Sequence, residues 1–306
     1  MKVETHLEKV LRKGLFAVTG ELAPPKGNDG AVLRRKADLL RGVVDAIHVP
    51  DNPAAVVRMS SLAASTLLVQ MGLEPVMEMA SRDRNRIALQ SDLFGATALG
   101  IRNICCLSGD HPSLGNQIES KNVYDLDSVQ LIGCLQSLRN EGALLGGEKA
   151  EGQFDLWIGA TANPFGDPLE LHVMQLAKKV RAGADFVQTL PIFDMDRFEA
   201  RWNLVQDKGL HEKVHIVAGI APLKSVEMVP MMEKVLPGVS IPKHLIDRMS
   251  KSNDPEREGI RIAVEQIQKL RRINGIHGVC LSVGDREEMV RPIAEGAGLL
   301  PRPKAE

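Results

Sequence analysis

Short β-branched or apolar runs alternate along the chain with longer amphipathic segments, the pattern of repeated βα units around a parallel sheet. Eight runs read as strands: residues 16–23, 46–49, 75–79, 103–107, 156–161, 186–193, 214–220 and 278–283. Between them apolar residues recur at spacings of three and four, as in 53–70, 84–99, 128–140 and 168–182, which predicts helices. Eight strands alternating with helices predict an α/β fold closed into a (β/α)8 TIM barrel. Gly72, Gly100 and Gly183 each end a helical pattern just before a strand, where a left-handed cap is expected. Asp51 followed by Pro53 fits a helix start. Residues 142–152 are Gly-rich and polar and read as a surface loop. Residues 241–272 are too long for one helix and, with Asp254 and Pro255 inside, predict two. The expected organisation is one domain over 1–306, with an N-terminal helix in 1–14 and a loose tail over 301–306.

Composition narrows the partners. The length, 306 residues, suits one α/β barrel, and 44% apolar with 25% charged residues gives an ordinary globular core. Lys plus Arg (38) nearly cancel Asp plus Glu (39), so nothing favours nucleic acid or an anionic membrane, and a small molecule is the expected partner. Four cysteines, two of them adjacent at Cys105 and Cys106, show neither a disulfide framework nor CxxC metal spacing. The eight histidines lack HxxxH and HExxH spacing, so no metal site is assigned. The absence of GxGxxG and of a GKS/T loop excludes a Rossmann or P-loop nucleotide site. Residues 1–13 are charged throughout, and no run reaches about 18 apolar residues, so neither a signal peptide nor a membrane span is expected. A cytoplasmic location is the expectation.

Barrel enzymes carry their chemistry on the loops that leave the C-terminal ends of the strands. Those positions hold Glu21 after strand one, Asp51 after two, 81–86 after three, Gly109 and Asp110 after four, Asn163 after five, Asp194 after six, and Asp285 with Arg286 after eight. Glu21 lies in an otherwise apolar strand. Partial burial there would raise its pKa and make it a general acid; the alternative is a carboxylate that pairs with a base or caps a loop. Gly109 would let backbone approach a planar ligand beside the charge of Asp110, or the pair is simply a turn before Pro112. Arg82, Arg84 and Arg86, with Asp83 and Asn85 at a helix start, suit a phosphate, against the alternative of a salt-bridged first turn. Lys178 and Lys179 sit late in a helix, where the dipole alone accounts for them. Tyr124, the only tyrosine, either stacks on a cofactor or packs.

Taken together, VTGELAPPKGND, RDRNRIALQSDLFGATALGI, LSGDHPSLGN, VYDLDSVQLI, ANPFGDPLELH, KKVRAGADFVQTLPIFD and VAGIAPLKS resemble the methylenetetrahydrofolate reductase family over residues 16 to 300 or so. The resemblance implies a flavoprotein oxidoreductase of one-carbon metabolism and methionine biosynthesis. FAD, or alternatively FMN, would sit at the barrel mouth and pass a hydride from N5 to 5,10-methylenetetrahydrofolate, giving 5-methyltetrahydrofolate. On matching positions, Glu21 would be the general acid that protonates N10 and opens the ring to an iminium. Asp110 would be the aspartate whose charge favours that cation. Ser81, Arg82, Asp83, Asn85, Arg86, Gly109, Tyr124 and Lys179 would line the flavin, while Gln188, Leu190 and Arg286 would face the folate, Arg286 at its glutamate tail.

The electron source implied is NAD(P)H or a partner electron-transfer protein. The PPKG and ALQSD wording is closer to the short, partner-associated members, and a homo-oligomer or heteromeric complex is expected. Four positions depart from the family pattern. The usual QTQ reads Gln188, Thr189, Leu190; Pro50 replaces Thr; Glu78 replaces Gln or His; Cys280 replaces His. Leu190 cannot make the second glutamine's contact with a pterin, a loss of about 1–3 kcal/mol. The alternative reading is therefore a divergent folate- or flavin-binding subunit that works only with an electron-transfer partner. A methyl-transfer enzyme on the same barrel is a third, with no corrinoid or zinc motif behind it.

Overall fold

The computed structural model describes residues 4–236 and 238–304. Strands β1 (Ala17–Glu21), β2 (Ala46–Val49), β3 (Pro75–Ala80), β4 (Asn103–Leu107), β5 (Trp157–Ala162), β6 (Phe186–Pro191), β7 (His215–Ile220) and β8 (Ile276–Leu281) pair in sequence order, all parallel. β8 returns to β1, with Ala17 opposite Gly278, so the sheet closes into the expected (β/α)8 barrel. The outer layer holds α2 (Gly30–Leu40), α3 (Ser61–Gln70), α4 (Arg86–Ala98), α5 (Ser128–Glu141), α6 (Leu169–Ala182), α7 (Met195–Asp207), α8 (Val229–Val235), α9 (Lys243–Lys251), α10 (Pro255–Leu270) and α11 (Val290–Gly296). Outward strand residues such as Val18, Ile47, Met77 and Ile104 pack with these helices into the main core.

The remaining helix, α1 (His6–Arg12), closes the N-terminal end of the barrel. Its Leu7, Val10 and Leu11 join Ala17, Ala46, Val76, Cys105, Trp157 and Phe186 in an inner core that fills the lower lumen. Glu74 fixes the helix by accepting the amides of His6 (2.6 Å) and Leu7 (2.9 Å) and the side chain of Asn103 (3.0 Å). Those two amides are among the orphan donors every helix N-terminus presents. The lumen is thus filled from this end, and a cavity of about 290 Å³ beside Thr5, His6, Glu74 and Asn103 lies outside it.

Three expectations need correction or completion. The pattern over 53–70 becomes a helix only at Ser61, after a short 3-10 turn (Pro53–Ala55). Asp51 does not start a helix. Its buried carboxylate accepts the Ala80 amide (2.9 Å) and pairs with Arg84, while Ser60 caps α3 instead, accepting from Ala63 (3.2 Å). Second, the segment 301–304 has no regular structure but is not loose as far as Arg302. Its guanidinium binds the buried Asp45 (2.5 and 3.0 Å) and the carbonyls of Phe16 (2.8 Å) and Leu299 (2.9 Å). The rest of that tail, 305 and 306, lies outside the described residues, as do positions 1–3 of the N-terminal segment. Third, 241–272 does divide in two, with Asp254 capping α10 by accepting from Arg257 (3.1 Å).

Candidate active site

The strand ends surround a cavity of about 310 Å³ whose wall includes Glu21, Gln188, Leu190, Lys224 and Ser282, with Met228, Met231 and Met232 on its apolar side. Glu21 is the last residue of β1 and accepts one hydrogen bond, from Ser282 Oγ at 2.8 Å. Burial is the main cause that raises its pKa, and the nearby Glu78 carboxylate adds to it. Ser282, His48 and Arg58 pull the other way. Glu21 is thus held toward its neutral form, as a proton donor requires.

Beneath it, His48 of β2 is wholly buried, 3.5 Å from Glu78 through Nδ1, and neither ring nitrogen has a hydrogen bond. Cys280 and Cys105 are also buried here. Burial pushes both thiols up, so neither offers a ready thiolate.

Gln188 and Leu190 reach the cavity through a distortion of the sheet. The β6–β7 register shifts between Gln188 and Pro191, and Thr189 bridges the irregularity, accepting the Gly219 amide (2.9 Å) and donating to the Leu190 carbonyl (2.8 Å). Only glycine allows this approach, because a Cβ at 219 would come within 2.5 Å of the Thr189 oxygen. The side-chain oxygen of Gln188 is buried with no hydrogen-bond donor. A buried acceptor without a partner costs free energy, about 1–3 kcal/mol, until a ligand donor reaches it.

Asp110 lies on the same rim as Glu21 but outside the wall of this cavity. It is exposed; its carboxylate accepts the Ala54 amide (2.7 Å) and its carbonyl accepts from Arg82 (2.9 Å). That contact holds a loop in which Asn52, Ala54 and Ala55 all have positive φ. The run 81–86 is largely committed within the chain. Arg82 binds Asp83 (2.6 and 2.8 Å), Arg84 binds Asp51 and Asp92, Arg86 binds Asp125 (2.8 and 2.9 Å), and Asn85 caps α4. Ser81 has a buried hydroxyl with no partner, and Arg84 keeps an unpaired buried Nε. Gly109 has φ +87, and a Cβ there would meet Ala80 and Arg82 at 3.1–3.2 Å. Exposed Tyr124 donates to the Gly109 carbonyl at 3.4 Å.

Lys179 reaches from α6 to the Thr161 carbonyl (2.6 Å), and burial lowers its pKa. It lines a second cavity of about 200 Å³ that shares Leu190 with the first. Arg286 is half-buried and held by Glu256 (2.8 and 2.9 Å) and by Glu288.

The structure therefore gathers Glu21, Gln188 and Leu190, and leaves Asp110, Arg286 and the 81–86 run around the periphery. Sequence reasoning missed Ser282 and Lys224. Ser282 is two residues beyond Cys280, on the same face by strand alternation. Lys224 follows strand seven, the one strand end from which no candidate was taken. Among the described residues no group of three or more His, Cys, Asp or Glu could hold a metal, and no helix is long and apolar enough to cross a membrane.

Comparison with solved structures finds the same fold in an uncharacterized Clostridium thermocellum protein that binds two copies of 5-methyl-5,6,7,8-tetrahydrofolic acid. The TM-score is 0.67 at 11% identity, covering 97% of this chain and all of that one. A Mycobacterium tuberculosis tryptophan synthase matches at TM-score 0.51 and 13% identity, covering 96% of this chain and 99% of that one. Among curated sequences, a probable methylenetetrahydrofolate reductase (NADPH) of Caenorhabditis elegans is 26% identical over 82% of this chain and 37% of its own length. Methylenetetrahydrofolate reductase 2 of Schizosaccharomyces pombe is 26% identical over 71% and 34%. The chain thus spans about a third of the length of the curated relatives it matches. The family model for methylenetetrahydrofolate reductase matches residues 6–298, from the helix that plugs the barrel to the end of its last helix, and on that extent the chain belongs to the methylenetetrahydrofolate reductase family.

Proposed function

We propose that this chain binds a reduced folate in the cavity at the barrel mouth and reduces 5,10-methylenetetrahydrofolate to 5-methyltetrahydrofolate with a bound flavin. The observation that carries the reading is the pairing of a half-buried Glu21, its pKa raised, with the unpartnered Gln188 oxygen in one ring-sized cavity. Glu21 donates its proton to N10 and Ser282 keeps the carboxyl oriented, while Gln188 accepts an N–H of the pterin. Leu190 and the methionines exclude water from the ring faces. Asp110 acts from the rim as a fixed negative charge.

The flavin, when bound, supplies the hydride. The rim between β3 and β4 fits one end of such a group: Ser81 has an unsatisfied hydroxyl, Tyr124 an exposed ring, and Gly109 a carbonyl within reach. Asn85, at the start of α4, lies on that side, and Lys179 would contribute from the second cavity beyond β5. Arg82 and Arg86 could take phosphates of FAD, or of the alternative FMN, only by exchanging Asp83 and Asp125.

The test is direct. Purified protein should be yellow, release FAD or FMN on denaturation, and reduce the methylene folate with NADH, NADPH or an artificial dye as donor. A colourless protein that takes up no flavin and turns over with none of the three donors removes the proposal.

A second reading, a subunit that takes electrons only from a partner protein, is favoured by exposed apolar residues on this rim. Val57 (56% exposed), Leu114 (54%) and Ile118 (66%) lie on adjacent loops, joined by the Val57 amide donating to Asn116 at 3.1 Å. Normal turnover of the isolated chain with NADH would eliminate it.

A further inference from the structure

The folate reading needs a cation for the glutamate carboxylates, and the arginine expected for that role is already held by two carboxylates of its own chain. We propose that Lys224, on the loop after β7, forms a carboxylate subsite at the edge of the Glu21 cavity and holds the anionic tail of the folate; this assignment rests on the reading above.

Three observations support it. Lys224 is half buried in the wall of the same cavity as Glu21 and Gln188, so a ligand with its ring at the acid end can present its tail to the ammonium. Two other cations of this edge are paired with carboxylates: Lys36 binds Asp285 (2.9 Å) and Glu287 (3.1 Å), and Arg286 binds Glu256 and Glu288; Arg58 donates to the Pro24 carbonyl (2.7 Å) and keeps a buried Nε without a partner, but it does not line this cavity. Lys224 makes no hydrogen bond or ion pair among the described residues. Finally, Gly284 opposes it with φ +64, where a Cβ would stand 3.3 Å from Nζ, so the turn after β8 leaves the ammonium uncovered.

Burial and the neighbouring Arg286 charge lower the Lys224 pKa, and Asp285, Glu287 and Glu288 act on it from a distance in the opposite sense without bonding to it. An incoming carboxylate would relieve both penalties at once. Lysine serves such a tail as a point charge on a flexible stem, tolerant of one or several glutamates. A phosphate of flavin or NADPH has the same chemistry, so the test must separate the two.

The experiment measures dissociation constants of the flavin-loaded protein for 5-methyltetrahydrofolate and for 6-methyltetrahydropterin, which lacks the tail, together with flavin retention and the KM for NADPH. Lys224→Met should weaken 5-methyltetrahydrofolate by about tenfold or more, the scale of a lost charge-assisted hydrogen bond, and leave the pterin unchanged. Lys224→Arg should restore most of the loss, and Arg286→Gln should change affinity less than about twofold. Equal affinity for 5-methyltetrahydrofolate in Lys224→Met and wild type overturns the assignment alone. So does a defect confined to flavin retention or to NADPH, or a loss carried by Arg286→Gln. Wild-type protein that binds neither folate nor pterin overturns the assignment together with the folate reading beneath it.

Discussion

Two carboxylates at opposite ends of the barrel, Asp45 and Glu21, are treated in opposite ways. At the closed end the carboxylates are surrounded by donors: Asp45 takes the Val18 amide (2.8 Å), two bonds from Arg302 and one contact from His6, while Glu74 takes two helix amides and Asn103. Burial pushes Asp45 up, but the bonds from His6 and Arg302 outweigh it, and its pKa falls below the ordinary value; at Glu74 burial outweighs the three donors and the pKa rises. At the open end Glu21 has a single donor, Ser282, and a second carboxylate for a neighbour, so its pKa rises. Asp45 uses its charge to hold the chain together. Glu21 leaves a charge unfavourable and a proton available beside a cavity, an arrangement that costs stability and serves chemistry.

The sharpest way to break this contrast is to remove a donor from the closed end. Arg302→Met leaves Asp45 buried with only His6 and an amide, and should destabilise the protein by about 3 kcal/mol in denaturant unfolding. Flavin and folate affinity of the remaining folded protein should not change. A loss below about 1 kcal/mol would mean that the terminal segment contributes little and that the closed end is held by α1 alone.

At the open end the signs reverse. Glu21→Gln should cut folate reduction about a hundredfold or more, the scale of a lost general acid, while flavin stays bound. Because the folded pKa of Glu21 is raised, its stabilising share is complete below its unfolded value of 4.5 and is lost as pH rises through the folded value. The substitution should therefore be neutral to stability at pH 4 and stabilising at pH 7. Asp45 has a lowered pKa, so its share is present above 3.8 and is lost as pH falls through its folded value. Unchanged turnover in Glu21→Gln would take this residue out of the mechanism.

The same contrast explains what the sequence could and could not reveal. Strands and barrel were legible because alternation and periodicity are local, and Glu21 stood out as a charge in an apolar strand. Partnerships were not local. Arg86 and Asp125 are 39 positions apart, Arg302 and Asp45 are 257 apart, and only folding brings either pair together. So the arginine run could be read as a phosphate cradle or as a salt-bridged turn until the fold showed its guanidinium groups engaged, and the tail looked loose when its arginine was anchored. The segment 53–60 looked helical because its apolar spacing fits, yet the contacts of Asp51 with β3 and Arg84 decide its path. Glu78 was visible as a departure from a family pattern; its position next to Glu21 in charge and His48 in space was not.

Gln188 offers a smaller test, in which stability and binding should move apart. Replacing it by Leu removes an acceptor that has no donor, so the ligand-free protein should gain up to about 1 kcal/mol, while affinity for 5-methyltetrahydrofolate should fall about tenfold. Destabilisation of the ligand-free protein would show that Gln188 is satisfied in solution and is not held ready for a ligand.

The finest probe is Glu78→Gln, which keeps the shape of the lumen and deletes one charge. Burial would still hold the Glu21 pKa up, and Ser282, His48 and Arg58 would still pull it down, with buried Cys280 alongside; only the repulsion from Glu78 would go. The Glu21 pKa should then fall relative to the wild-type protein. A general acid works in its protonated form, so kcat/KM declines as pH rises through that pKa, and the declining limb should move to lower pH while the low-pH plateau keeps its height. A limb that stays in place would mean that Glu78 bears no charge beside Glu21, or that a different group supplies the proton. A plateau that drops without a shift would mean that Glu78 and His48 shape the lumen and leave the acid untouched.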